Sequence, residues 1–464
     1  MILDTPLFKS LAKDVVYELE GLFPYASLLA TENLGERLTV QTRQQQAEQL
    51  DPVRGIVLSV FNGRYFLEAA TSKMTEEGFK EISRKLMEMG KDQGVFYDSL
   101  AIDPGPRMEK NFFVACQKDP ESIPLKEKIE ACRTIKDQLH QKDHRIVQAT
   151  CQYAHVRSRE LFINRHKVLF QDLRRTQMAA LVVMREGDRS VNLHTGQSLQ
   201  GGYEQAFIPE NKLEKLVEDC GKLLDAPRLK PGTYTCIFSP EFAGIFAHEA
   251  FGHGMETDMF LKKRARGEDY LGGPVASPLV NMFDSPALPG QAASFFFDHE
   301  GEPARETQII EKGILRRGLT DLNSAMRLGL VRSANGRRES FERKVYARMT
   351  NTYFGPGEDT FEDMVHSIKD GFFLEHPSNG MEDPKGWGIQ LEGYYAEEIK
   401  NGRLTGRVFT PVIVTGYVPD LLQSITMVGN VVEISGLGMC GKGHKEWVKV
   451  TDGGPFLKLR ARLA

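Results

Sequence analysis

The chain has 464 residues, a formal net charge of −4, 41% hydrophobic and 26% charged residues. That length exceeds one ordinary core, so two or three domains are expected. No block of like charges advertises a nucleic-acid or membrane surface, and the longest apolar runs, such as 179–184, fall far short of a bilayer span. The six cysteines are scattered and none forms a CxxC pair, which fits reduced thiols better than a disulfide framework. The N-terminal stretch MILDTPLFKSLAKDVVYELEGLF lacks a basic segment followed by an apolar one, so no secretory signal is expected and a cytoplasmic location is.

Taken in chain order, Leu11, Val15, Val16, Leu19 and Leu22 fall at helical spacing within 8–22. Asn62-Gly63 sits between two β-rich runs and predicts a hairpin. A helix is expected from about Thr75, with Phe79, Ile82, Leu86 and Met89 on one face and Gly90 as its stop. Another is expected over 122–142, and several antiparallel strands over 160–196. Leu213, Leu216, Val217, Cys220, Leu223 and Leu224 form one apolar stripe along 211–224. The segment 225–233 carries two prolines and a glycine after that helix, and divides the chain into domains 1–225 and 226–464. The second half reads as mostly β. Strands are expected over 294–319, with turns at His299–Glu302 and Lys312-Gly313, and a hairpin tip at Asn401-Gly402. The fold class is α+β: an N-terminal α/β-layered domain followed by a β-rich C-terminal domain carrying a short metal-binding helix.

The chemistry concentrates in SPEFAGIFAHEAFGHGMETD, residues 239–258. Ser239 is a good N-cap, and Pro240 suits the first helical position. The helix then presents His248, Glu249 and His253 in an HExxxH pattern. Zinc hydrolases of the HExxH kind place two histidines four apart on one helix face, with the glutamate as base. Here the spacing is five, and on a regular helix such residues point about 140° apart. Two imidazoles so placed cannot share an ion. The helix must bulge or end between them, and Gly252 is where this costs least.

A catalytic zinc also needs a third protein ligand. Glu256 and Asp258 are close in sequence and could serve, or could accept from the imidazole N–H groups. Cys440 lies in the glycine-dense SGLGMCGKGH, and is equally readable as a ligand or as a packed loop thiol. His444 follows four residues later. His140 and His144 are four apart, but their setting reads as a solvated helix end. Arg337, Arg338 and Glu339 read as a surface ion network or as the lining of a substrate groove. Lys442, His444 and Tyr353 are candidate donors to an oxyanion.

The chain resembles the TldD/PmbA metallopeptidase family, on its zinc-motif-bearing TldD side. The resemblance is carried in order by HEAFGHGMETD (248–258), DHEGEPA (298–304), NGRRES (335–340), RMTNTY (348–353), ITMVGN (425–430) and GMCGK (438–442). It implies Zn2+ held by His248, His253 and Cys440, with Glu249 as the base that activates water. It also implies an intracellular peptidase acting on unfolded or short peptides, in a homo- or hetero-oligomer with a PmbA/TldE-like subunit. Two alternatives remain at this stage: a non-catalytic subunit or scaffold with a structural zinc, and a hydrolase of non-peptide amides.

Overall fold

The computed structural model describes residues 3–96, 101–444 and 446–464. It is an α+β fold. Its first half is built on a seven-stranded sheet of β1 (Tyr25–Gln41), β2 (Gln45–Phe61), β3 (Phe66–Thr71), β4 (Met108–Phe113), β5 (Ile146–Asn164), β6 (Lys167–Glu186) and β7 (Arg189–Gln200). The strand order is β3-β2-β1-β5-β6, with β4 and β7 both pairing with β6. Only β4 runs parallel to its neighbour. The turn at Asn62-Gly63 joins β2 to β3 as an antiparallel hairpin, as its residues dictate.

Strand alternation divides the work of this sheet. Leu28, Ala30, Leu38 and Val40 of β1 point to one face. There they meet α1 (Pro6–Glu20) and α2 (Glu76–Gln93) at one end, and α3 (Leu125–Lys142) and α4 (Glu210–Leu224) at the other. Leu213, Leu216, Cys220 and Leu223 of α4 are buried, as their spacing predicts. Gly90 does not stop α2. It lies inside the helix against Phe23, and the chain leaves the helix at Gly94, whose φ is 76°. A glycine within a helix reads as a stop by sequence, but here it makes room for an aromatic ring.

The opposite face of the sheet is mixed and covers the second half of the chain: Phe162 and Leu169 pack on Phe297, and polar side chains lie beside them. Gln171 donates to the Phe297 carbonyl (3.0 Å) and accepts from the Phe296 N–H (2.8 Å). Lys167 donates to the Gly301 carbonyl (2.9 Å), and Arg338 is paired with Glu68 (2.8 Å). Each satisfies a polar group that burial would otherwise leave costly.

In the second half, β8 (Gly232–Phe238), Asp370–Glu382, Gly388–Lys400, Val412–Tyr417 and Leu457–Leu463 pair in a closed cycle. The turn at Asn401-Gly402 leads from this cycle into Arg403–Phe409. A six-stranded sheet lies beside it and includes Met282–Asp284, Asn351–Phe354 and Thr451–Gly454. Two expectations for 294–319 separate here. Thr307–Glu311 and Ile314–Leu315 form the antiparallel pair expected around Lys312-Gly313. SFFF does not form a ladder: Phe297 makes only an isolated bridge to Pro303, because its own N–H and carbonyl and the Phe296 N–H are spent on Gln171. Among the described residues no helix is long and apolar enough to cross a membrane.

Candidate metal centre

Strand β8 runs directly into the metal motif. The buried Ser239 Oγ accepts from the Phe242 N–H at 3.2 Å, and Pro240 opens α5 (Pro240–Ala247). Phe242 and Phe246 drive the helix into the largest apolar core. Regular geometry ends at Ala247. Residues 248–252 form a π-turn in which the His253 N–H reaches the His248 carbonyl, and 253–255 tighten into a 3-10 turn. The wider turn brings together rings that an α-helix would splay. The His248 and His253 centroids lie 5.1 Å apart at 84°. Gly252 lets the turn pack: its backbone is ordinary right-handed helix, but a Cβ there would lie 2.0 Å from Met349 Sδ.

Cys440 arrives from far along the chain on a hairpin, Met439–Lys442 with Glu446–Lys449, opposite Val448. Buried Arg348 ties the hairpin down by donating to the carbonyls of Cys440 (2.6 Å) and Glu446 (3.1 Å). Cys440 Sγ lies 3.3 Å from His253 Nε2. The donor atoms of His248, His253 and Cys440 all lie within 4.8 Å of one another.

The electrostatics agree with this convergence. Burial alone would push the Cys440 thiol up, but the two imidazoles overcome it and bring the thiol down to about 4. Burial likewise opposes charge on the histidines. Cys440 nevertheless raises His248, and Glu256 and Cys440 raise His253 well above the usual range. His253 Nδ1 lies 3.1 Å from Glu256 Oε2. Lys442 bonds to Glu256 (2.9 Å) and Asp258 (2.6 Å), and with His253 it holds the buried Glu256 carboxyl below its usual range despite burial. His248 Nδ1 is buried without a hydrogen-bond partner, 3.8 Å from Asp452 Oδ2. A thiolate, two imidazoles and an orphaned ring nitrogen suit a zinc ion.

A cavity of about 830 Å³ opens on this group and is lined by Glu249, His248, His253, Cys440, Asn379 and Trp447, among others. Glu249 lies against Gly380, where a Cβ would sit 2.5 Å from Glu249 Cγ. The Glu249 carboxylate is thus set between the histidines and the strand Asp370–Glu382. Two acids at this cavity were not legible beforehand. Burial raises Asp452 to about 6, against the pull of His248. Burial also raises Glu382 well above the usual range, and neither of its oxygens has a partner among the described residues.

Several sequence candidates stand elsewhere or, like Lys442 at the cavity wall, are already engaged. Asp258 accepts from Lys442 and Lys262 and touches neither histidine. Lys442 is committed to Glu256 and Asp258, and so is no free oxyanion donor. Tyr353 donates to Glu306 (2.6 Å) and does not line the cavity. His444 is exposed, and the His144 side chain is 94% exposed. Arg337 and Arg338 are not a surface network but are buried at 7% and 5% exposure.

The segment 231–460 matches the model of the PmbA/TldA metallopeptidase C-terminal domain. The chain is 28% identical over 441 residues to a metalloprotease of Methanocaldococcus jannaschii, covering 93% of this chain and 95% of that one. It is 30% identical over 322 residues to a zinc metalloprotease TldD homolog of Saccharolobus solfataricus, covering 66% of this chain and 69% of that one. In fold it superposes on TldE from Thermococcus kodakarensis with a TM-score of 0.77 at 17% identity, over 98% of this chain and 100% of that one. With the HExxxH turn and the matching C-terminal segment in hand, this chain belongs to the TldD/PmbA metallopeptidase family.

Proposed function

We propose that the chain is a zinc-dependent peptidase that hydrolyses unfolded or short peptides in the cytoplasm, with His248, His253 and Cys440 as metal ligands and Glu249 as general base. The observation that carries this reading is the meeting of those three donors at the wall of a cavity that also holds the Glu249 carboxylate. A zinc ion there supplies Lewis acidity and lowers the pKa of water to about 7. Glu249 takes a proton from the attacking water and passes it to the leaving amine. Glu256 orients His253 through Nδ1, and Lys442 keeps Glu256 ionised. Glu256 is already engaged by His253 and Lys442, which favours a three-ligand centre over a closed structural one. The strand Asp370–Glu382 beside Glu249 offers main-chain groups that pair with peptides of many sequences. A PmbA/TldE-like subunit is the proposed partner, consistent with the shared fold.

The test is Glu249→Gln in zinc-loaded protein, assayed on a mixed peptide library. Zinc content is expected to persist while chelator-sensitive cleavage is lost. Full cleavage by the variant would exclude Glu249 as base.

A further inference from the structure

On the other side of the Cys440 hairpin lies a second cavity, of about 260 Å³, which shares Met439 and Trp447 with the metal cavity. Arg175, Arg337 and Lys449 all line it. None of the three makes an ion pair among the described residues. Arg337 spends its guanidinium on the carbonyls of Met349 and Lys449. Arg175 donates to the Ala292 carbonyl (2.5 Å) and Ser158 Oγ (3.4 Å). No hydrogen bond of the Lys449 ammonium is found among the described residues.

The carboxylates at this cavity make their hydrogen bonds elsewhere, although Glu160 also acts on Arg175 through its charge. Glu160 accepts from Gln171 (2.6 Å) and lies 3.4 Å from His299. Asp298 accepts from the N–H groups of Glu300, Glu302 and Gly336. Glu339 accepts from the Trp447 N–H (3.0 Å). Arg337 is buried, and Arg175 and Lys449 are half-buried. Glu160, Asp284 and Asp452 offset the cost of holding Arg175, Arg337 and Lys449 charged only in part, and Arg175 disfavours charge on the other two. Burial, then Arg348 and Arg175, lower Arg337 to about 9, and burial, then Arg175, lower Lys449 to about 7. An arriving oxyanion relieves both penalties and receives charge-assisted hydrogen bonds.

Lys449 directly follows Val448, the cross-strand partner of Cys440, so one hairpin carries both Cys440 and, on its opposite face, a member of this positive site. We propose that Arg175, Arg337 and Lys449 form a subsite for the C-terminal carboxylate of the peptide substrate, so that cleavage falls within a few residues of the substrate's C-terminus. This rests on the peptidase reading. Trp447, 47% exposed between the two cavities, provides an apolar surface for the intervening side chain.

The experiment compares one peptide sequence as free acid and as C-terminal amide, using zinc-loaded full-length protein. Amidation is expected to raise KM about 10- to 100-fold with kcat little changed, the scale of a lost charge-assisted contact. Lys449→Gln, and separately Arg175→Gln, should raise KM for the acid and leave the amide unaffected, with melting temperatures near the parent's. Equal KM for acid and amide in the parent protein, or variants that shift both alike, would overturn the subsite. Binding is measured independently by calorimetry with N-acetyl-dialanine, its amide and inorganic phosphate. Preference for the acid over its amide, lost in Lys449→Gln, upholds the subsite even if no peptide is hydrolysed, which would sink the peptidase reading alone. Binding of phosphate without the acid would overturn the carboxylate assignment.

Discussion

Among the described residues, two clusters each gather three side chains able to bind a metal: His248, His253 and Cys440, and Asp219, Glu375 and His376. They differ in what already occupies them. In the second, the Lys215 ammonium sits 2.7 Å from Asp219 and 2.9 Å from Glu375, and His376 Nε2 lies 2.9 Å from Asp219. Its negative charge is met by a resident cation. In the first, no lysine or arginine ion-pairs with a donor among the described residues, the thiol is brought down to about 4 by the imidazoles, and one ring nitrogen is left unpaired. Donor count does not distinguish a metal centre from an ion-pair network. An unsatisfied donor set facing a cavity does.

That contrast can be broken most severely at the proposed ligands. Cys440→Ala or His253→Ala should reduce bound zinc toward zero by plasma emission spectrometry and abolish peptide cleavage. Asp219→Asn and His376→Gln should leave the zinc content at parent level. Next in size is Glu249→Gln, expected to lower kcat/KM by about 10²–10⁴-fold at unchanged zinc. Glu256→Gln removes the acceptor behind His253, and should weaken zinc affinity about 10- to 100-fold in a chelator competition. Gly252→Ala forces a methyl onto Met349 and should cost about 1–3 kcal/mol in denaturant unfolding, with looser zinc binding.

The metal-free protein gives a pH test with a definite sign. The folded Cys440 pKa lies below its unfolded value. Its contribution to stability is therefore complete above the unfolded pKa, and is lost as pH falls through about 4. Cys440 should titrate near 4 in alkylation by iodoacetamide, while buried Cys236, pushed up by burial against the opposing Ala461 backbone hydrogen bond, stays inert. Titration of Cys440 near an ordinary thiol value would dissolve the contrast between the clusters.

Much of this was legible because it was local. Ser239-Pro240 announces the start of α5, and the five-residue spacing of His248 and His253 requires a departure from α-geometry beside a glycine. Both requirements are arithmetic on one helix. The stripe along α4 and the hairpin at Asn62-Gly63 were equally readable from periodicity and turn chemistry. Residues brought in by topology were not. Asp452 reaches the cavity on a strand paired with the distant Thr352, and Glu382, on a local hairpin opposite Ile389, meets there the histidines of a segment far earlier in the chain. Arg175 and Lys449 meet only because the mixed face of the first sheet packs on the second half. Burial of Arg337 and Arg338 was missed for the same reason: a charged run reads as surface until the partner across the interface is known. Asp258 and Tyr353 stood near the right segments, but their side chains are held by Lys442 and Glu306.

The most direct measurement is zinc K-edge X-ray absorption on the zinc-loaded protein. One sulfur near about 2.3 Å and two imidazole nitrogens near about 2.0–2.1 Å are expected, with the sulfur shell lost in Cys440→Ser. A parent spectrum without a sulfur shell, or one unchanged by that substitution, would contradict the assignment of Cys440 and with it the proposed centre.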